Sequence, residues 1–325
     1  MTASAKISTT DLRRLYQYRN LPNLKIPLFY ALWIASLVVA WNTDSQPVIQ
    51  WSSYAIAGYL MMGLVTFMHE ATHFTLFKKK WKNWAFGVFS VIPFFISFIA
   101  FKDDHIKHHN FNRSPKDPDA FTMGKRGVGD FILFYAYILF GAALTLLNFV
   151  ALYPIAAFRG KKLLIHLGEI TLHAVIYAAL IVWLRERSIL EPFLRVWLIP
   201  FIFFGYLNSM RFLAEHYGLP WNRGQLIGTR TISSNQVNSF FWNNINYHIG
   251  HHVYPGVPWY NLQELHELMT PEINRVGAVV DQSYVMVFFD AFLHGPETLE
   301  TVEAREAARV SLKNSGKLAT SQTSD

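Results

Sequence analysis

The chain has 325 residues, of which 52% are hydrophobic and only 16% are charged, and its formal net charge is +7. Soluble domains carry about a quarter of charged residues, so this composition argues against a soluble globular protein. The sequence contains no cysteine, which excludes disulfides, thiolate zinc sites, iron–sulfur clusters and thiolate-ligated haem. Any bound metal must therefore be held by histidine, carboxylate or carbonyl groups.

Six long apolar runs follow one another along the chain. They cover residues 26–41, 51–68, 84–101, 131–158, 163–184 and 196–213. A membrane-spanning helix needs about 20 mostly apolar residues, and six such runs need more surrounding core than this chain can provide. The runs predict an all-α integral membrane protein.

Lysine and arginine in the short connecting segments indicate the orientation of the runs. Basic residues precede the first run and follow the second as "KKKWK" (78–82), whereas the loop between these runs has none. The stretch "RGKK" (159–162) precedes the fifth run, and further basic residues follow the sixth. We expect about four transmembrane helices in two hairpins, with both termini in the cytoplasm.

The third and fourth runs each contain a proline, Pro93 and Pro154, which favours bent or interfacial segments over straight spans. We expect these two runs to lie in the interface, to re-enter, or to cross as a pair. Residues 1–299 are expected to form one membrane domain. Residues 300–325 end in a Ser/Thr-rich stretch and are expected to form a disordered tail.

Nine of the thirteen histidines fall into clusters at run ends on the predicted cytoplasmic side. "HEATH" closes the second run, "HIKHH" follows the third, and "NYHIGHH" lies after the sixth, which His216 closes. Their spacings of three and four residues place the imidazoles of one cluster on one helix face. The cytoplasmic segments should thus form a helical cap that carries a metal site. The candidate ligands are His69, His73, His105, His108, His109, His216, His248, His251 and His252.

The number of histidines bears on which metal is bound. "HEATH" also matches the H-E-x-x-H motif of zinc proteases, in which Glu70 would be the general base. That site needs three protein ligands and leaves the other clusters without a role. Nine imidazoles suit two ions better than one. Imidazole binds iron, zinc and copper alike, and beside a lipid-embedded region an oxygen-activating iron pair is the simplest interpretation.

The order H-x-x-x-H, H-x-x-H-H, H-x-x-H-H, together with "HEATHFTLF", "RFLAEH" and "NYHIGHHVYPGVPWYNLQELH", resembles the membrane fatty acid desaturase superfamily over about 69–266. The resemblance implies a centre of two iron ions that uses dioxygen and two electrons to oxidise an unactivated C–H bond. It implies that the box histidines are iron ligands and that His216 is an additional ligand. Some relatives use a water-linked asparagine where this chain has Phe212, so that role is not carried over.

Several other polar residues lie near the boxes. Glu70, Asp104 and Glu215 are candidates to accept hydrogen bonds from metal-bound imidazoles, the alternatives being plain solvation or salt bridging, and Asn244 and Asn246 are weaker candidates. No catalytic group is expected beyond the metal centre. The carboxylates in "KDPD" after the second box recur in several branches of the superfamily and do not decide between them.

Within the fifth run, one helix face carries three polar residues: His166, Glu169 and His173. They form either a hydrogen-bonded polar seam or part of a substrate channel. We expect His266 and His294 to be surface histidines.

The sequence lacks a haem-binding His-Pro-Gly-Gly motif and a flavin or nicotinamide fingerprint, so electrons must come from a separate donor of the ferredoxin or cytochrome b5 type. A basic cytoplasmic face would attract such acidic carriers, and nucleic acid is not needed to explain the charge. We predict a fatty acid (acyl-lipid or acyl-thioester) desaturase. The alternatives are a carotenoid hydroxylase or ketolase, a fatty acid or sphingolipid hydroxylase, and more remotely a membrane zinc protease or a non-catalytic metal-binding protein.

Overall fold

The computed structural model describes residues 7–119 and 127–314, which are mostly helical. Fourteen α-helices lie in these ranges: α1 Thr9–Leu15, α2 Lys25–Trp41, α3 Pro47–His73, α4 Lys80–Ser90, α5 Phe98–Phe111, α6 Val128–Leu147, α7 Tyr153–Ala157, α8 Gly160–Glu186, α9 Leu190–His216, α10 Gln236–Phe241, α11 His248–Val253, α12 Leu262–Val276, α13 Tyr284–His294 and α14 Leu299–Asn314. Two short strands, β1 Thr231–Ile232 and β2 Val280–Asp281, pair in parallel.

Five helices of the described residues are long and apolar enough to cross a membrane: Leu21–Trp41, Pro47–His73, Val128–Ala157, Gly160–Glu186 and Leu190–His216. The sequence predicted about four, and the additional helix is the fourth apolar run. Helix α6 continues into α7 through the π-helical turn Asn148–Leu152, and Pro154 occupies the first turn of α7. Proline is tolerated there because no intrahelical bond is lost, so the run stays helical to Ala157.

The third apolar run is bent, as the position of Pro93 predicted. Its two halves, Lys80–Phe94 and Phe98–Phe111, meet at an angle of 102°. Between them the chain forms the 3₁₀ turn Ile92–Phe94, and Phe95 has the left-handed φ of 58°. The side chain of Ser97 then starts α5 by accepting a hydrogen bond from the Ala100 amide. The bend lets α5 carry the second histidine cluster back toward the first.

Helix α3 is the central helix and is buried along most of its length. It packs closely against α9, because a Cβ atom at Gly58 would lie 2.7 Å from the Pro200 carbonyl oxygen. Small residues of this kind allow membrane helices to approach at backbone distance. A second, smaller core joins α1, α11 and α12 through Leu15, Ile249, Leu262 and Leu265, all fully buried. This core holds the third histidine cluster beside the end of α3.

The C-terminal segment differs from the disordered tail that the sequence predicted for 300–325. Residues Leu299–Asn314 form α14, with Val302 buried at 2% exposure. The Arg305 side chain forms an ion pair with Asp290 at 2.7 Å. Because α14 has a single packed stripe and is otherwise charged, its apolar signal is weak. Residues 315–325 lie outside the described range, and the domain boundary at 299 stays a prediction.

Candidate metal centre

The four predicted histidine segments meet at one place. His69 and His73 lie in the last turns of α3, which ends where Phe74 adopts a left-handed φ of 61°. The other helices contribute His105, His108 and His109 from the end of α5, His216 from the end of α9, and His248, His251 and His252 from α11. All nine side chains are buried except His73, which is half-buried. The predicted ligand set is therefore brought together in full.

The histidines form two adjoining groups. Ring nitrogens of His69, His73, His105, His109 and His251 lie within 4.8 Å of one another, as do those of His108, His216 and His252. A third set with the same limit joins Glu215, His216 and His248. The two groups touch where the rings of His109 and His252 stack at 4.2 Å between centroids. The first group therefore contains five imidazoles, and the second contains four imidazoles and one carboxylate.

Three pairs of Nε2 atoms are unusually close to one another. The separations are 2.9 Å for His73 and His105, 3.1 Å for His109 and His251, and 3.0 Å for His248 and His252. Imidazole nitrogens bound at about 2.1 Å to one ion, at right angles, are about 3 Å apart. The spacing of these pairs thus fits ligands that share a metal ion.

The outer nitrogens of three rings fix which nitrogen faces the cluster. The Nδ1 atom of His108 lies 3.0 Å from Asp117 Oδ1, that of His252 lies 2.8 Å from Gln225 Oε1, and that of His216 lies 3.2 Å from the Gly228 carbonyl. Because these oxygens are acceptors, each Nδ1–H donates outward and leaves the Nε2 lone pair facing inward. That is the arrangement of a metal-binding imidazole.

Other ring nitrogens lack a hydrogen-bond partner within the described parts of the chain. Both nitrogens of His69 and the Nδ1 atoms of His248 and His251 are buried in this state. Burial, and next the neighbouring imidazoles, lower the pKa values of His248, His251 and His252 well below the usual value. Neutral imidazole is the form that binds metal. The buried, unpaired nitrogens and the all-imidazole donor set therefore fit transition-metal ions.

The carboxylates have different roles. Glu215 belongs to the cluster, because its Oε2 lies 3.4 Å from His248 Nε2 while its Oε1 accepts from Arg211 Nη1 at 3.0 Å. Glu70 mainly ties the first box to the segment after the third, since its Oε2 accepts from Thr75 Oγ1 at 2.6 Å and from the Trp259 amide at 3.0 Å.

The remaining second-sphere candidates lie farther from the rings. Asp104 and Asp119 both line the cavity beside the centre. Asn244 and Asn246 donate to the backbone carbonyls of Trp259 and Ile232, at 3.2 and 3.1 Å. The two amide nitrogens therefore hold loops in place, and a role of the asparagines beside the imidazoles stays a prediction.

Sequence reasoning missed the acceptors that orient the rings. Asp117 lies in "KDPD", a stretch that the sequence singled out without assigning it a role. Asp117 also accepts from the Arg113 amide at 2.8 Å, so it is fixed in its orientation. For Gln225 no local signal exists, since it lies in an irregular loop 27 residues before its partner His252.

The polar face of α8 is a hydrogen-bonded seam. Glu169 accepts from Ser97 Oγ at 2.8 Å and from the Ile99 amide at 3.1 Å, and His166 lies 3.0 Å from the same hydroxyl. His173 donates to the Val88 carbonyl at 3.2 Å. The seam therefore fixes the start of α5. This agrees with the interpretation of the face as a hydrogen-bonded polar seam and not as part of a substrate channel.

Of the two remaining histidines, His294 is exposed as expected, whereas His266 is half-buried. The ring of His266 packs against Tyr247 at 5.2 Å between centroids. Its Nδ1 atom is buried.

A cavity of about 400 Å³ lies beside the cluster. Apolar side chains from α3, the bent pair and α9 form much of its wall, among them Met68, Phe101 and Phe204. Its lining also includes ring atoms of His69 and His216. Ligand pockets have volumes of about 300–1,000 Å³, so the metal cluster borders a pocket of ligand size with a mainly apolar wall.

The model of the family described as "Fatty acid desaturase" matches residues 45–284. This chain therefore belongs to the fatty acid desaturase family, a class of oxidoreductases of lipid metabolism. Because the chain belongs to this family, we do not interpret "HEATH" as the motif of a zinc protease.

Curated relatives agree with the family. The chain is 26% identical over 241 residues to a "Sphingolipid delta(4)-desaturase" of Schizosaccharomyces pombe, which is 70% of this chain and 65% of that protein. A protein of the same name from Candida albicans is 26% identical over 257 residues, 72% and 67% of the two chains. An "sn-1 oleoyl-lipid 12-desaturase" of Arthrospira platensis is 23% identical over 268 residues, 75% and 72% of the chains. The matched part of this chain thus spans about two thirds of the length of the sphingolipid desaturases.

Proposed function

We propose that this protein is a membrane-bound, di-iron desaturase that introduces a double bond into the hydrocarbon chain of a lipid. The observation that carries the proposal is the meeting of nine histidines, eight of them buried, from four helices at the edge of one mainly apolar cavity. Two adjoining groups of imidazoles support two ions. The names of the relatives, all desaturases, favour desaturation over the hydroxylase and ketolase alternatives.

The overall reaction balances as follows. A –CH₂–CH₂– unit gives up two hydrogen atoms and becomes –CH=CH–, while dioxygen, two electrons from a separate donor and two protons complete the formation of two water molecules. Bound iron would supply the activation of dioxygen that removal of hydrogen from an unactivated C–H bond requires.

The chain's own residues have positioning roles in this scheme. Asp117, Gln225 and the Gly228 carbonyl hold three imidazoles with their lone pairs toward the ions. Apolar side chains such as Met68 and Phe101 exclude water and hold the hydrocarbon chain beside the centre.

We infer four membrane crossings, because both ends of Val128–Ala157 contact the metal-bearing end of the helices. Near its start, the ring of Phe134 lies 6.0 Å from that of Tyr217, the residue after His216. Near its end, Tyr153 OH donates at 2.7 Å to Asp103, two residues before His105. A segment that begins and ends at the same level does not cross; it lies in the interface or re-enters. The bent pair behaves likewise, which leaves two spanning hairpins.

Both described ends of the chain are on the metal side. Leu15 of α1 packs into the core that holds α11, and Arg305 of α14 lies over the Tyr217 ring at 5.1 Å. Together with the basic segments at this end, this supports cytoplasmic termini and a cytoplasmic metal site. A donor of the ferredoxin or cytochrome b5 type would approach this basic face.

The test is expression of the full chain in a host without such a desaturase, with metal and lipid analysis. We expect two iron ions per chain in the purified protein and new carbon–carbon double bonds in host lipids, both lost in His251→Ala. One zinc ion per chain, or products that carry oxygen in place of a double bond, would contradict the proposal.

A further inference from the structure

The lining of the cavity changes in character along α9. Farther from His216, α9 contributes Phe201 and Phe204 to the wall. Nearer His216 it contributes Asn208, Arg211 and Glu215, together with Phe212. Asn148, from the π-helical turn after α6, also lines the cavity. A cavity for a plain hydrocarbon chain has no use for such groups, because burying amides without partners is unfavourable.

The polar side chains lie close to the metal centre. Asn208, Arg211 and Glu215 are spaced by three and four residues, so they share the helix face that lines the cavity. At 1.5 Å per residue, Arg211 lies about 7.5 Å and Asn208 about 12 Å from His216 along the helix axis. About six to ten carbon–carbon bonds of an extended hydrocarbon chain span that distance.

These groups have unused hydrogen-bonding capacity. The side chains of Asn148 and Asn208 form no hydrogen bond with any other described residue. Arg211 uses Nη1 to donate to Glu215 at 3.0 Å, while its buried Nε has no partner in the described ranges. Each amide offers two donor hydrogens and one acceptor oxygen, so the patch can both donate to and accept from a ligand.

The charges in the cavity favour an uncharged ligand group. The single guanidinium, Arg211, is already paired with Glu215, and the other charged side chains of the lining, Asp104 and Asp119, are acidic. Among the described residues that line the cavity, a phosphate or carboxylate would meet no positive charge that is not already paired. Hydroxyl and amide groups match the amides of Asn148 and Asn208 without a charge to neutralise.

We propose that Asn148, Asn208 and Arg211 bind hydroxyl and amide groups of the substrate, and that the substrate is a long-chain amino alcohol acylated on nitrogen. Its polar groups then lie about six to ten bonds from the –CH₂–CH₂– unit that is oxidised, and its hydrocarbon tail lies along the aromatic side chains of the cavity wall. This inference rests on the proposed desaturase function and adds the class of lipid.

The experiment compares three saturated lipids with the iron-loaded, full-length protein and an electron-donating system. They are an N-acyl long-chain amino alcohol, the same lipid without its hydroxyl group, and phosphatidylcholine. We expect the first to be the best substrate. Asn208→Leu and Asn148→Leu should each lower kcat/KM for it roughly five- to ten-fold, the worth of one hydrogen bond, with a smaller effect on the lipid without the hydroxyl group.

Phe212→Leu is the matched control, because Phe212 lines the same wall of α9 without a hydrogen-bonding group. It should change the rates for the three lipids by the same factor. If phosphatidylcholine is desaturated as well as the amino alcohol, or if the asparagine variants lower all rates equally, the inference is wrong while the proposed function stands. If none of the lipids gains a double bond, the proposed function itself fails and the inference falls with it.

Discussion

The Nε2 atoms of His109 and His251 lie 3.1 Å apart, although 142 residues separate them in the chain. His109 belongs to the end of α5 and His251 to α11, and both side chains are buried. Two helices that are far apart in the sequence thus direct the lone pairs of their imidazole nitrogens toward one point. Such an approach is costly for neutral imidazoles unless a proton or a cation lies between them.

Replacing His251 removes a nitrogen from the five-histidine group. We expect His251→Ala to lose at least half of the bound iron and all detectable desaturation. Iron per chain, measured on the purified protein by mass spectrometry of the metal, checks this. His294→Ala is the matched control, because His294 is exposed and should leave iron content unchanged. A His251→Ala protein with the iron content of the unmodified chain would refute the ligand assignment.

Gln225 offers a test of ring orientation without loss of a ligand. It accepts from His252 Nδ1 at 2.8 Å and donates to the His109 carbonyl. Loss of such an outer partner lowers metal affinity by about 10–100-fold, and we expect this of Gln225→Ala in a chelator competition. Gln263→Ala, at an exposed position of α12, serves as control. Equal affinities in the two variants would show that Gln225 has no orienting role.

The histidine ligands could be predicted because each box is a local pattern. Spacings of three and four residues place imidazoles on one helix face wherever the helix lies. The groups that orient the rings could not, since the contact of Gln225 with His252 depends on how an irregular loop folds. Asn244 was proposed as a second-sphere candidate because it lies close to the third box in sequence. Its left-handed φ of 57° accompanies a side chain that bonds to the Trp259 carbonyl instead.

The apolar runs predicted the helices for a similar reason, since hydropathy is a property of each segment. Whether 131–158 crosses the bilayer depends on what its ends contact, here Tyr217 and Asp103. These contacts are tertiary and leave no trace in the run itself. The sequence of α14 has a short helical pattern, but the pattern does not show that this helix packs against the rest of the chain through residues such as Val302.

Glu169 should contribute to stability by fixing the start of α5. It accepts from Ser97 Oγ and the Ile99 amide, and leaving these buried donors unpaired costs about 1–3 kcal/mol. We expect Glu169→Leu to lower the melting temperature in detergent and to reduce iron content, because α5 carries the second box. Glu169→Gln keeps one acceptor oxygen and should recover most of the loss.

A lipid-facing neighbour provides the comparison for Glu169. Leu172→Ala changes an exposed residue of the same helix and should leave iron content unaltered. If Glu169→Leu and Glu169→Gln melt at the same temperature, the hydrogen bonds to α5 do not stabilise it.

The buried ion pair between Arg113 and Glu297 joins the segment after the second box to the segment after α13. Arg113 Nη1 lies 2.9 Å from Glu297 Oε2, and both side chains are 6% exposed. Removing one partner of such a pair costs about 3–5 kcal/mol because the other charge stays buried. We expect Arg113→Met and Glu297→Met each to show this loss in detergent unfolding titrations, and the double variant to lose less than their sum. The exposed pair of Arg223 and Glu306, at 4.0 Å, is the control and should contribute less than about 1 kcal/mol.

His266 should make the protein less stable in acid. Burial lowers its pKa from 6.5 to about 4. Between these values the unfolded chain binds a proton at His266 and the folded chain does not, so acidification through this window favours unfolding. The glutamine variant His266→Gln removes this linkage, and its melting temperature should fall less than that of the unmodified chain between about pH 7 and about pH 4.5. His294→Gln, at an exposed position, should follow the unmodified chain. An equal fall in all three proteins would mean that His266 does not contribute to the acid sensitivity.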